Sequence, residues 1–564
     1  WITFALSLVD HFHIIRWINS ILTNARVTRT LRRKRPPKKF HKFYYLFIFP
    51  IIIITILYAA DIIIPFFKSA VLKSSESVTI PIGRHTTRAL EAGFIFTAGA
   101  KAYLEPVQET VRLEEQVMRE TTYSYHIKVG KRAAGRLSLT LQEIDGENAI
   151  YFISCHAFPG EAAPATAKLT ISGSAPPHVV RTIEYPGGII DNQQSRWKEI
   201  KIGPLPCSLP RSLTFIEGQD CSLALGMIDV FQDLGNGVIK ELYHQTPAAR
   251  VRTVKNGTIY EIPLPGVPGT ESRTWGVISS KPFVVWQNST LIDQLRVADL
   301  NRFRKFWSDG VYYLTPENYV PSDPRGFWRC PAHHVGEVFL RTPGELTRAL
   351  AISLMYAAIR TQNPAGYWPT TPKSNWLAKD YGFGPNFYDT RFNTDGAIFL
   401  LRAYRALGEP KALNAAERYA AFLCSFARLH ARKTPRGGYL VPDYMDARGR
   451  AETHTSLNHL VTEMNFLYEL FLATGKEEYK EVAEKIRLAV KDTRDGWIKP
   501  DGNLWYARLP DGSFGLQDYA TLTLNDLRLA QRWIQEIEGN PDPDFQILID
   551  TKTRYNRYHG LPLR

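Results

Sequence analysis

The last third of this 564-residue chain carries the side chains best suited to proton transfer. Two tyrosines, Tyr506 and Tyr519, follow Glu452 and His454, and Asp518 immediately precedes Tyr519. Carboxylates and imidazoles exchange protons near neutral pH, and a phenol does so when a cation or hydrogen bonds favour its phenolate. These residue types therefore allow acid–base chemistry. Asp518 also precedes a helical pattern and could simply cap it.

Other polar residues of this region have simpler expected roles. Glu463 lies within a helical pattern, and we expect it to be a surface or capping group. Arg391 and Arg508 lie on loops rich in aromatic residues, where a guanidinium could grip a sugar carboxylate in a fork. Trp505 belongs to such a loop, GWIKPDGNLWYARLPDG. Aromatic and hydroxyl groups on loops held by rigid helices suit a saccharide site, and helix packing is the alternative explanation.

Two helices must position these residues. Apolar side chains recur at i, i+3, i+4 and i+7 from Leu457 to Phe471, which predicts one buried helix face. Thr455 or Ser456 can cap the start of this helix, and Gly475 is placed to end it. A second helix is predicted to begin near Tyr519, with Asp518 in or beside its first turn.

Further helical patterns precede these two and define a helical C-terminal domain over residues 295–564. They cover residues 343–362, 395–409 and 411–431, and long Gly/Pro/aromatic loops separate them. Paired helices with long loops predict an α/α toroid, of the incomplete (α/α)6 barrel type. Such toroids occur in glycoside hydrolases, polysaccharide lyases and epimerases, so the fold alone does not choose among these activities.

The middle of the chain has strand patterns. Short alternating or apolar runs separated by turn residues fill residues 123–294 and predict a sandwich-like β-rich accessory domain. Residues 68–122 are assigned as a connecting region with a short helix at residues 87–98. The chain is thus predicted to be a multidomain α+β protein.

Three segments of the helical domain resemble the D-glucuronyl C5-epimerase family. LNHLVTEMNFLYELFLATG (residues 457–475) is similar to that family's LN-containing helix, and DYATLTLNDLRL (residues 518–529) to its D-Y-x-T-x-x-x-N-x-L stretch. NLWYARL (residues 503–509) matches the position of the family's Trp/Tyr loop. The family has histidines around the final D-Y motif, where this chain has Ala520, Leu522 and Thr523.

The resemblance implies inversion at C5 of a hexuronic acid inside a polysaccharide. Tyr519 and Tyr506 match the family's tyrosines, and Glu452 and His454 are nearest to its Glu-Tyr pair. We therefore expect Tyr519, Tyr506 and Glu452 to be catalytic. The substrate-binding residues are expected to be Asp518, His454, Arg508, Trp505 and Arg391. The C5 proton lies α to a carboxylate, so its removal creates an enolate whose charge must be neutralised.

Other activities stay open at this point. A lyase on the same scaffold would remove the same proton and then eliminate the C4 substituent. A glycoside hydrolase would need two carboxylates about 5 to 10 Å apart. A non-catalytic glycan-binding envelope protein could keep the toroid without its base. The expected partner is an acidic polysaccharide, and homodimer formation is left open.

The N-terminal part predicts a membrane anchor. The chain has a formal charge of +14, and a run of nine basic residues without an acidic one extends from Arg26 to Lys42. An apolar segment from Phe43 to Phe67 follows it, and about 20 apolar residues suffice to cross a bilayer. Basic flanks favour the cytoplasm, so residues 1–42 are expected inside as a basic, amphipathic segment, and the C-terminal domains outside, lumenal or at the cell surface. One basic run beside an apolar segment does not indicate nucleic-acid binding.

The cysteines and histidines predict neither a disulfide framework nor a metal centre. Five cysteines are scattered along the chain, and only Cys207 and Cys221 are close enough to pair across a hairpin in an oxidising compartment. His333 and His334 have no partner at ligand spacing. No cofactor is expected, and a divalent metal is left open.

Overall fold

The computed structural model describes residues 77–84, 91–114, 117–172, 179–185, 195–218, 221–298, 300–330 and 335–563. The chain divides into the units Trp1–Lys73 and Ser74–Arg564, and all described residues belong to the second. The predicted anchor at residues 43–67, the preceding basic segment and the pair His333-His334 lie outside the described residues. Within the described ranges, no helix is both long and apolar enough to traverse a bilayer.

Antiparallel strands form the first part of the described chain. They are β1 (Ser77–Arg84), β2 (Glu91–Ala98), β3 (Ala102–Glu114), β4 (Met118–Val129), β5 (Arg132–Ile144), β6 (Asn148–Ala157), β7 (Ala165–Ser172), β8 (Val179–Glu184), β9 (Arg196–Lys201), β10 (Cys207–Ser208), β11 (Thr214–Glu217), β12 (Ser222–Leu225), β13 (Asp229–Gly235), β14 (Val238–Glu241), β15 (Arg250–Val254), β16 (Gly257–Leu264) and β17 (Thr270–Ser279). A 3₁₀ turn covers Tyr243–Gln245. After a helix, α1 (Ser289–Ala298), follow β18 (Arg304–Trp307), β19 (Gly310–Leu314), β20 (Tyr319–Val320) and β21 (Gly326–Cys330).

The longer strands belong to two sheets. The smaller sheet has six strands in the order β1-β2-β7-β16-β15-β10. The larger has fourteen, in the order β18-β19-β21-β14-β13-β17-β12-β11-β8-β9, and β6 joins β17 to β5, β4 and β3. The sheets therefore start at Ser77, within the predicted connecting region, and extend to Cys330, within the predicted helical domain.

The predicted helix at residues 87–98 is wrong where the structure describes it, because Glu91–Ala98 is strand β2. Ala92, Phe94 and Phe96 are buried and the residues between them are more exposed. This alternation has the period of two that places one face of a strand in a core. Both neighbours, β1 and β7, pair with β2 in antiparallel register.

The larger sheet is covered on both faces. On β6, Tyr151, Ile153 and Cys155 contribute to the core between the two sheets. Ile150 and Phe152 contribute to the second core, which continues into the helices. Because successive side chains of a strand point to opposite faces, one strand serves both cores. The sheet and the helical region thus share a single continuous apolar interior.

The rest of the chain is mainly helical. Its helices are α2 (Val335–Arg341), α3 (Glu345–Thr361), α4 (Asn375–Tyr381), α5 (Thr390–Leu407), α6 (Pro410–His430), α7 (Leu457–Thr474), α8 (Glu477–Asp492), α9 (Arg494–Trp497), α10 (Leu522–Glu538) and α11 (Pro543–Tyr558). Over residues 335–563 they form four pairs, α2/α3, α5/α6, α7/α8 and α10/α11, and the helices α3, α5, α7 and α10 contact one another in succession. The helices predicted at residues 343–362, 395–409 and 411–431 are confirmed with shifted ends.

The end of α7 follows its prediction and the start departs from it. Gly475 has φ 70°, a left-handed conformation that glycine adopts without strain, and its N–H bonds Phe471 O at 2.7 Å. Ser456 occupies the N-cap position, but its hydroxyl makes no cap bond and instead donates to Asp443 Oδ2 at 2.5 Å. The residue expected to start the helix is therefore engaged by a buried carboxylate.

Short two- and three-stranded ladders tie the loops of the helical domain together. Their strands are β22 (Lys373–Ser374), β23 (Tyr388–Asp389), β24 (Arg432–Lys433), β25 (Tyr439–Leu440), β26 (Tyr444–Met445), β27 (Thr455–Ser456), β28 (Trp505–Arg508) and β29 (Phe514–Gln517). One sheet has the order β27-β28-β29. The remaining short pairs are β20-β22, β23-β26 and β24-β25. The pairing of β27 with β28 brings the segment around Ser456 beside the loop that carries Tyr506.

Cys207 and Cys221, which the sequence places close enough to pair in an oxidising compartment, form no disulfide in the structure. Cys207 lies on β10, which pairs with β15 in the smaller sheet. Cys221 directly precedes β12, which belongs to the larger sheet. The two residues therefore do not face each other across a hairpin.

Candidate functional site

The two predicted tyrosines meet. Tyr506 lies on β28, and Tyr519 lies in the loop between β29 and α10. Their ring centroids are 5.7 Å apart and the planes are inclined by 77°, an edge-to-face contact. Tyr506 is 8% exposed and Tyr519 is 54% exposed. One phenol is therefore directed to solvent and the other is buried against it.

A third tyrosine joins this pair through a histidine. His454 is fully buried, and its ring centroid lies 6.1 Å from that of Tyr506. Its Nδ1 is 2.8 Å from the hydroxyl of Tyr381, the last residue of α4. Trp376 on the same helix packs against the imidazole at 5.1 Å between centroids. The structure thus places His454, a predicted site residue, beside the tyrosines. It also places Tyr381, which was not predicted, in the same site.

A buried carboxylate lies on the far side of this histidine. Asp443 Oδ2 is 3.3 Å from His454 Nε2 and 3.6 Å from His459 Nδ1. Asp443 also accepts hydrogen bonds from the backbone N–H of Ser456 at 2.7 Å and from the Ser456 hydroxyl at 2.5 Å. Burial raises the pKa of Asp443, but the two histidines and Ser456 outweigh it, so that its pKa lies below the ordinary value. Asp443 is therefore a carboxylate at neutral pH.

Sequence reasoning did not single out Tyr381 or Asp443. Both belong to loops noted only as rich in Gly, Pro and aromatic residues, DYGFGPNFYDTRFN and TPRGGYLVPDYMD. Neither residue belongs to a predicted helical repeat, and the partner of Tyr381, His454, lies far away in sequence. The available signal was the density of aromatic residues in those loops.

A second set of buried ionisable groups lies next to Asp443. Asp389 caps α5 by accepting a hydrogen bond from the Phe392 N–H at 3.1 Å, and burial raises its pKa to about 7. The neighbouring Thr390 hydroxyl lies 2.8 Å from His459 Nδ1. Burial lowers the pKa of His459 to about 4, so this imidazole is neutral at neutral pH. These groups surround the site from the side of α5 and α7.

Glu463 is one helical turn beyond His459 and is fully buried. Burial raises the pKa of its carboxyl well above the ordinary value. The expectation of a surface or capping group is therefore wrong. Nearly all of α7 from Leu457 to Leu470 is buried, so its polar residues have no face to solvent.

Asp518 does not face solvent with Tyr519. It is 5% exposed, its Oδ2 lies 2.7 Å from Lys552 Nζ on α11, and its Oδ1 accepts from the Thr523 hydroxyl at 2.5 Å. Lys552 also donates to Asn503 Oδ1 at 2.8 Å. Both carboxylate oxygens are thus occupied, and Asp518 anchors the loop of Tyr519. The substrate contact predicted for Asp518 would require this pair to open.

Arg391 is held by protein carboxylates. Its Nη1 and Nη2 contact the two oxygens of Asp526 at 2.6 and 3.4 Å, and its Nε bonds Asp395 Oδ2 at 3.2 Å. Its Nη1 also bonds the carbonyl oxygen of Asn458. Each guanidinium nitrogen therefore has a protein partner. The guanidinium of Arg391 therefore has no free pair of N–H groups with which to bind a sugar carboxylate, contrary to the prediction.

Arg508 has a different environment. It lies two residues after Tyr506 on β28, on the same face of the strand. Arg432 bonds the carbonyl oxygen of Arg508 and lies close enough for the two charges to repel. Burial and this repulsion lower the pKa of Arg432. Among the described residues, neither arginine forms an ion pair with a carboxylate, so the two guanidiniums form a candidate anion site.

Trp505 and Glu452 stay apart from the tyrosines. Trp505 precedes Tyr506 on β28, so its side chain points to the opposite face, where it packs against the helical core. Glu452 is exposed. Its charge acts on His430, where it partly offsets the lowering of the histidine pKa by burial. Asp443, rather than Glu452, is the carboxylate that the structure places beside His454.

Metal ligation has no support in the described ranges, which contain no group of three or more His, Cys, Asp or Glu side chains arranged to hold an ion. A surface cavity of about 550 Å³ lies elsewhere, between the larger sheet and α3. Its lining includes Arg112, Glu120 and Arg360. Glu120 also accepts a hydrogen bond from the side chain of Gln142 at 2.8 Å. This cavity includes none of the tyrosines.

No protein-family model matches the sequence, and no curated protein matches it. Solved structures with partial similarity include a D-mannose isomerase, with a TM-score of 0.31 and 15% identity over 40% of this chain and 58% of that chain. A cellobiose 2-epimerase from Bacillus thermoamylovorans has a TM-score of 0.33 and 10% identity over the same shares, 40% and 58%. A family 76 glycoside hydrolase from a bovine Bacteroides thetaiotaomicron strain has a TM-score of 0.34 and 10% identity over 69% of this chain and 74% of that chain. Overlaps of this extent assign neither an activity nor a substrate to this chain.

Proposed function

We propose that this chain is a uronosyl C5-epimerase-like enzyme that inverts C5 of hexuronic acid residues within an acidic polysaccharide. The observation that carries the proposal is the meeting of Tyr506 and Tyr519 beside the linked pair Tyr381 and His454. A C5 proton lies next to a carboxylate and is removed by a base, and inversion needs a second group to return a proton to the opposite face. Phenols from different segments of the chain can take these two roles, one removing the proton and the other returning one.

Two arginines that have no ion pair with a carboxylate among the described residues, Arg432 and Arg508, support an anionic substrate. Removal of the C5 proton from a uronate leaves negative charge on the carboxylate group, and preorganised cations lower the cost of that charge. Arg432 lies close enough to Tyr381 for their charges to interact, and Arg508 follows Tyr506 on β28. Their guanidiniums fit the planar geometry of a carboxylate.

The wider arrangement belongs to the same proposal. We interpret the four helix pairs as an incomplete α/α toroid whose loops carry the site. We also propose that residues 43–67 anchor the chain in a membrane, with the sheets and helices outside the cytoplasm. A glycoside hydrolase fits this site less well, because Asp389 and Asp443, two carboxylates whose charges act on Tyr506 and Tyr519, are buried.

The test is deuterium uptake at C5, followed by NMR, with the full chain in detergent, D₂O and a panel of uronic-acid polysaccharides. Uptake with intact polysaccharide chains supports the epimerase, and new unsaturated ends would identify a lyase that shares the first proton transfer. Unchanged glycans across the panel would contradict the proposal, and retained binding to them would point to a glycan-binding protein.

The matched variants are Tyr519→Phe and Tyr558→Phe. Loss of a general acid–base group lowers the rate by roughly 10²–10⁴-fold, so we expect Tyr519→Phe to reduce exchange by that factor while glycan binding persists. Tyr558 is 86% exposed near the end of α11 and serves as the control. Full exchange in Tyr519→Phe would remove Tyr519 from the mechanism.

A further inference from the structure

Asp443 acts on two phenols of the site, Tyr381 through His454 and Tyr506 through its charge. On one side, the Tyr381 hydroxyl lies 2.8 Å from His454 Nδ1, and His454 Nε2 lies 3.3 Å from Asp443 Oδ2. On the other side, the Ser456 hydroxyl donates to Asp443 Oδ2, and burial together with the Asp443 charge raises the pKa of Tyr506. His454, Asp443 and Ser456 are all fully buried. The carboxylate thus lies between the two phenols, 3.3 Å from the imidazole that accepts Tyr381 and hydrogen-bonded to Ser456.

This arrangement selects one tautomer of His454. An imidazole that carries its proton on Nε2 presents that N–H towards the Asp443 carboxylate and leaves Nδ1 as an acceptor. Nδ1 can then accept the hydroxyl proton of Tyr381. A buried carboxylate stabilises the imidazolium that would form if that proton moved across, because charge interactions are strong away from water.

Tyr381 also enters the site from a different element than the other two phenols. Tyr506 and Tyr519 belong to one stretch of chain around β28 and β29, and their rings are in contact. Tyr381 ends α4 and is partly exposed, and His454 lies between it and Tyr506 with centroids 5.7 and 6.1 Å away. Groups that act on opposite faces of one carbon cannot be adjacent on the same wall of a site.

We infer that Tyr381 is an acid–base residue of this site, acting on the face of C5 opposite to Tyr519, with His454 as its proton acceptor and Asp443 as the positioning residue. This inference rests on the proposed function. The sequence predicted that His454 binds the substrate. Here it instead contacts the Tyr381 hydroxyl and accepts its proton. The bridging side chain, rather than direct substrate contact, explains why a fully buried imidazole lies within the site.

The proton transfers balance in this scheme. The C5–H bond breaks as the Tyr381 oxygen takes the proton and passes its own hydroxyl proton to His454 Nδ1, and the electron pair stays on the substrate as an enolate. Tyr519 then donates its hydroxyl proton to the opposite face of C5. The product has the inverted configuration, His454 has gained one proton and Tyr519 has lost one. Release of a proton from His454 to water, and uptake of one by Tyr519, restores the starting enzyme.

The experiment compares Tyr381→Phe, Asp443→Asn and Tyr439→Phe in the full chain. Tyr439 lies on β25 and is the matched control. We expect Tyr381→Phe to lower kcat for C5 exchange by roughly 10²-fold or more with little change in KM. The same loss of kcat is expected for Asp443→Asn, since an amide cannot stabilise the imidazolium, while Tyr439→Phe keeps wild-type rates.

A second readout needs no substrate. ¹⁵N NMR of histidine-labelled protein reports which imidazole nitrogen is protonated, and the His454 signals are identified by their loss in His454→Gln. We expect His454 to be the Nε2–H tautomer in the wild type and to become a tautomer mixture in Asp443→Asn. Protonation on Nδ1 in the wild type would overturn the inference, as would full exchange in Tyr381→Phe.

Failure of the proposed function has a different signature. A wild-type chain that exchanges no C5 proton overturns the epimerase and, with it, the catalytic role of Tyr381, whatever the tautomer. A wild-type chain that exchanges normally, with an equally active Tyr381→Phe variant, overturns only the role of Tyr381.

Discussion

Two buried ionisable residues near the tyrosines have pKa values displaced from their ordinary ranges. Asp389 is an acid whose pKa is raised to about 7, and His459 is a base whose pKa is lowered to about 4, in both cases chiefly by burial. Between roughly pH 4 and 7 the folded chain therefore holds a proton on Asp389 that an unfolded carboxyl would release. Stability due to this residue falls as pH rises through that window. His459 acts in the opposite sense, because its unfolded form is protonated below about pH 6.5.

Asp389→Asn separates these two effects. Asparagine caps a helix about as well as aspartate and cannot ionise, so α5 keeps its N-cap. We expect the variant to gain stability relative to the wild type as pH rises from about 4 to 7, by up to a few kcal/mol. Urea unfolding of both proteins across this range measures the difference. A difference that does not change with pH would contradict the raised pKa of Asp389.

Individual residues also mark the limit of sequence reasoning at the site. Tyr506, Tyr519 and His454 could be selected because they lie in or beside recognisable helix and loop patterns. Tyr381 could not, since its importance depends on a contact with His454 across more than 60 residues, and Asp443 could not, since it lies in a loop without a periodic pattern. Trp505 and Arg391 have suitable chemistry, but strand alternation and a buried ion pair direct them elsewhere.

At the scale of elements, α11 holds the loop of Tyr519 in place through Lys552. Its ammonium contacts Asp518 Oδ2 at 2.7 Å, and both side chains are 1% exposed. Removing one partner of a buried ion pair leaves the other charge without compensation, which costs about 3–5 kcal/mol. We expect Lys552→Met to destabilise the fold by this amount, and the double variant Lys552→Met with Asp518→Asn to recover part of it.

Thermal or urea unfolding measures the stability of the single and the double variant. The variant Lys491→Met is the comparison. Lys491 pairs with Asp542 but is 25% exposed, and Arg487 also binds that carboxylate, so its loss should cost much less. An equal loss for Lys491→Met and Lys552→Met would show that burial of the Asp518 pair does not determine its contribution.

Elements with strong periodicity were predictable. The bounds of α7 were predicted almost correctly from its long apolar stripe and from the glycine at position 475, because both signals are local in sequence. Strand β2 was assigned as a helix because Ala92 to Ala98 is a short apolar run, which periodicity alone cannot distinguish from a helix. The start of α10 was placed too early because Asp518 has a carboxylate typical of a cap and uses it to bind Lys552.

At the scale of the whole molecule, the larger sheet and the helices share one apolar core. Ile150 lies on the helix-facing side of β6, and Ile153 on the side facing the smaller sheet. Truncating a buried isoleucine to alanine costs about 2–5 kcal/mol. Because the core is continuous, we expect Ile150→Ala to lower the unfolding midpoints of helical and β-sheet signals together.

Circular dichroism and infrared spectra recorded through the same thermal transition test this expectation. Ile153→Ala, on the same strand, is the matched comparison for the inter-sheet core. Helical signals that melt at an unchanged temperature in Ile150→Ala would mean that the helical region unfolds independently of the sheet.

The pairing of Ser456 with Ala507 has a consequence for the order in which a newly made chain acquires its site. This pairing encloses α7, α8 and α9, so β28 cannot take its place beside β27 until those helices have been synthesised. Lys552, which anchors the loop of Tyr519, is synthesised later still. During synthesis from the N-terminus, the sheets can assemble while the tyrosines of the candidate site remain separated. Such a chain has folded sheets while its candidate site stays incomplete until α11 has been synthesised.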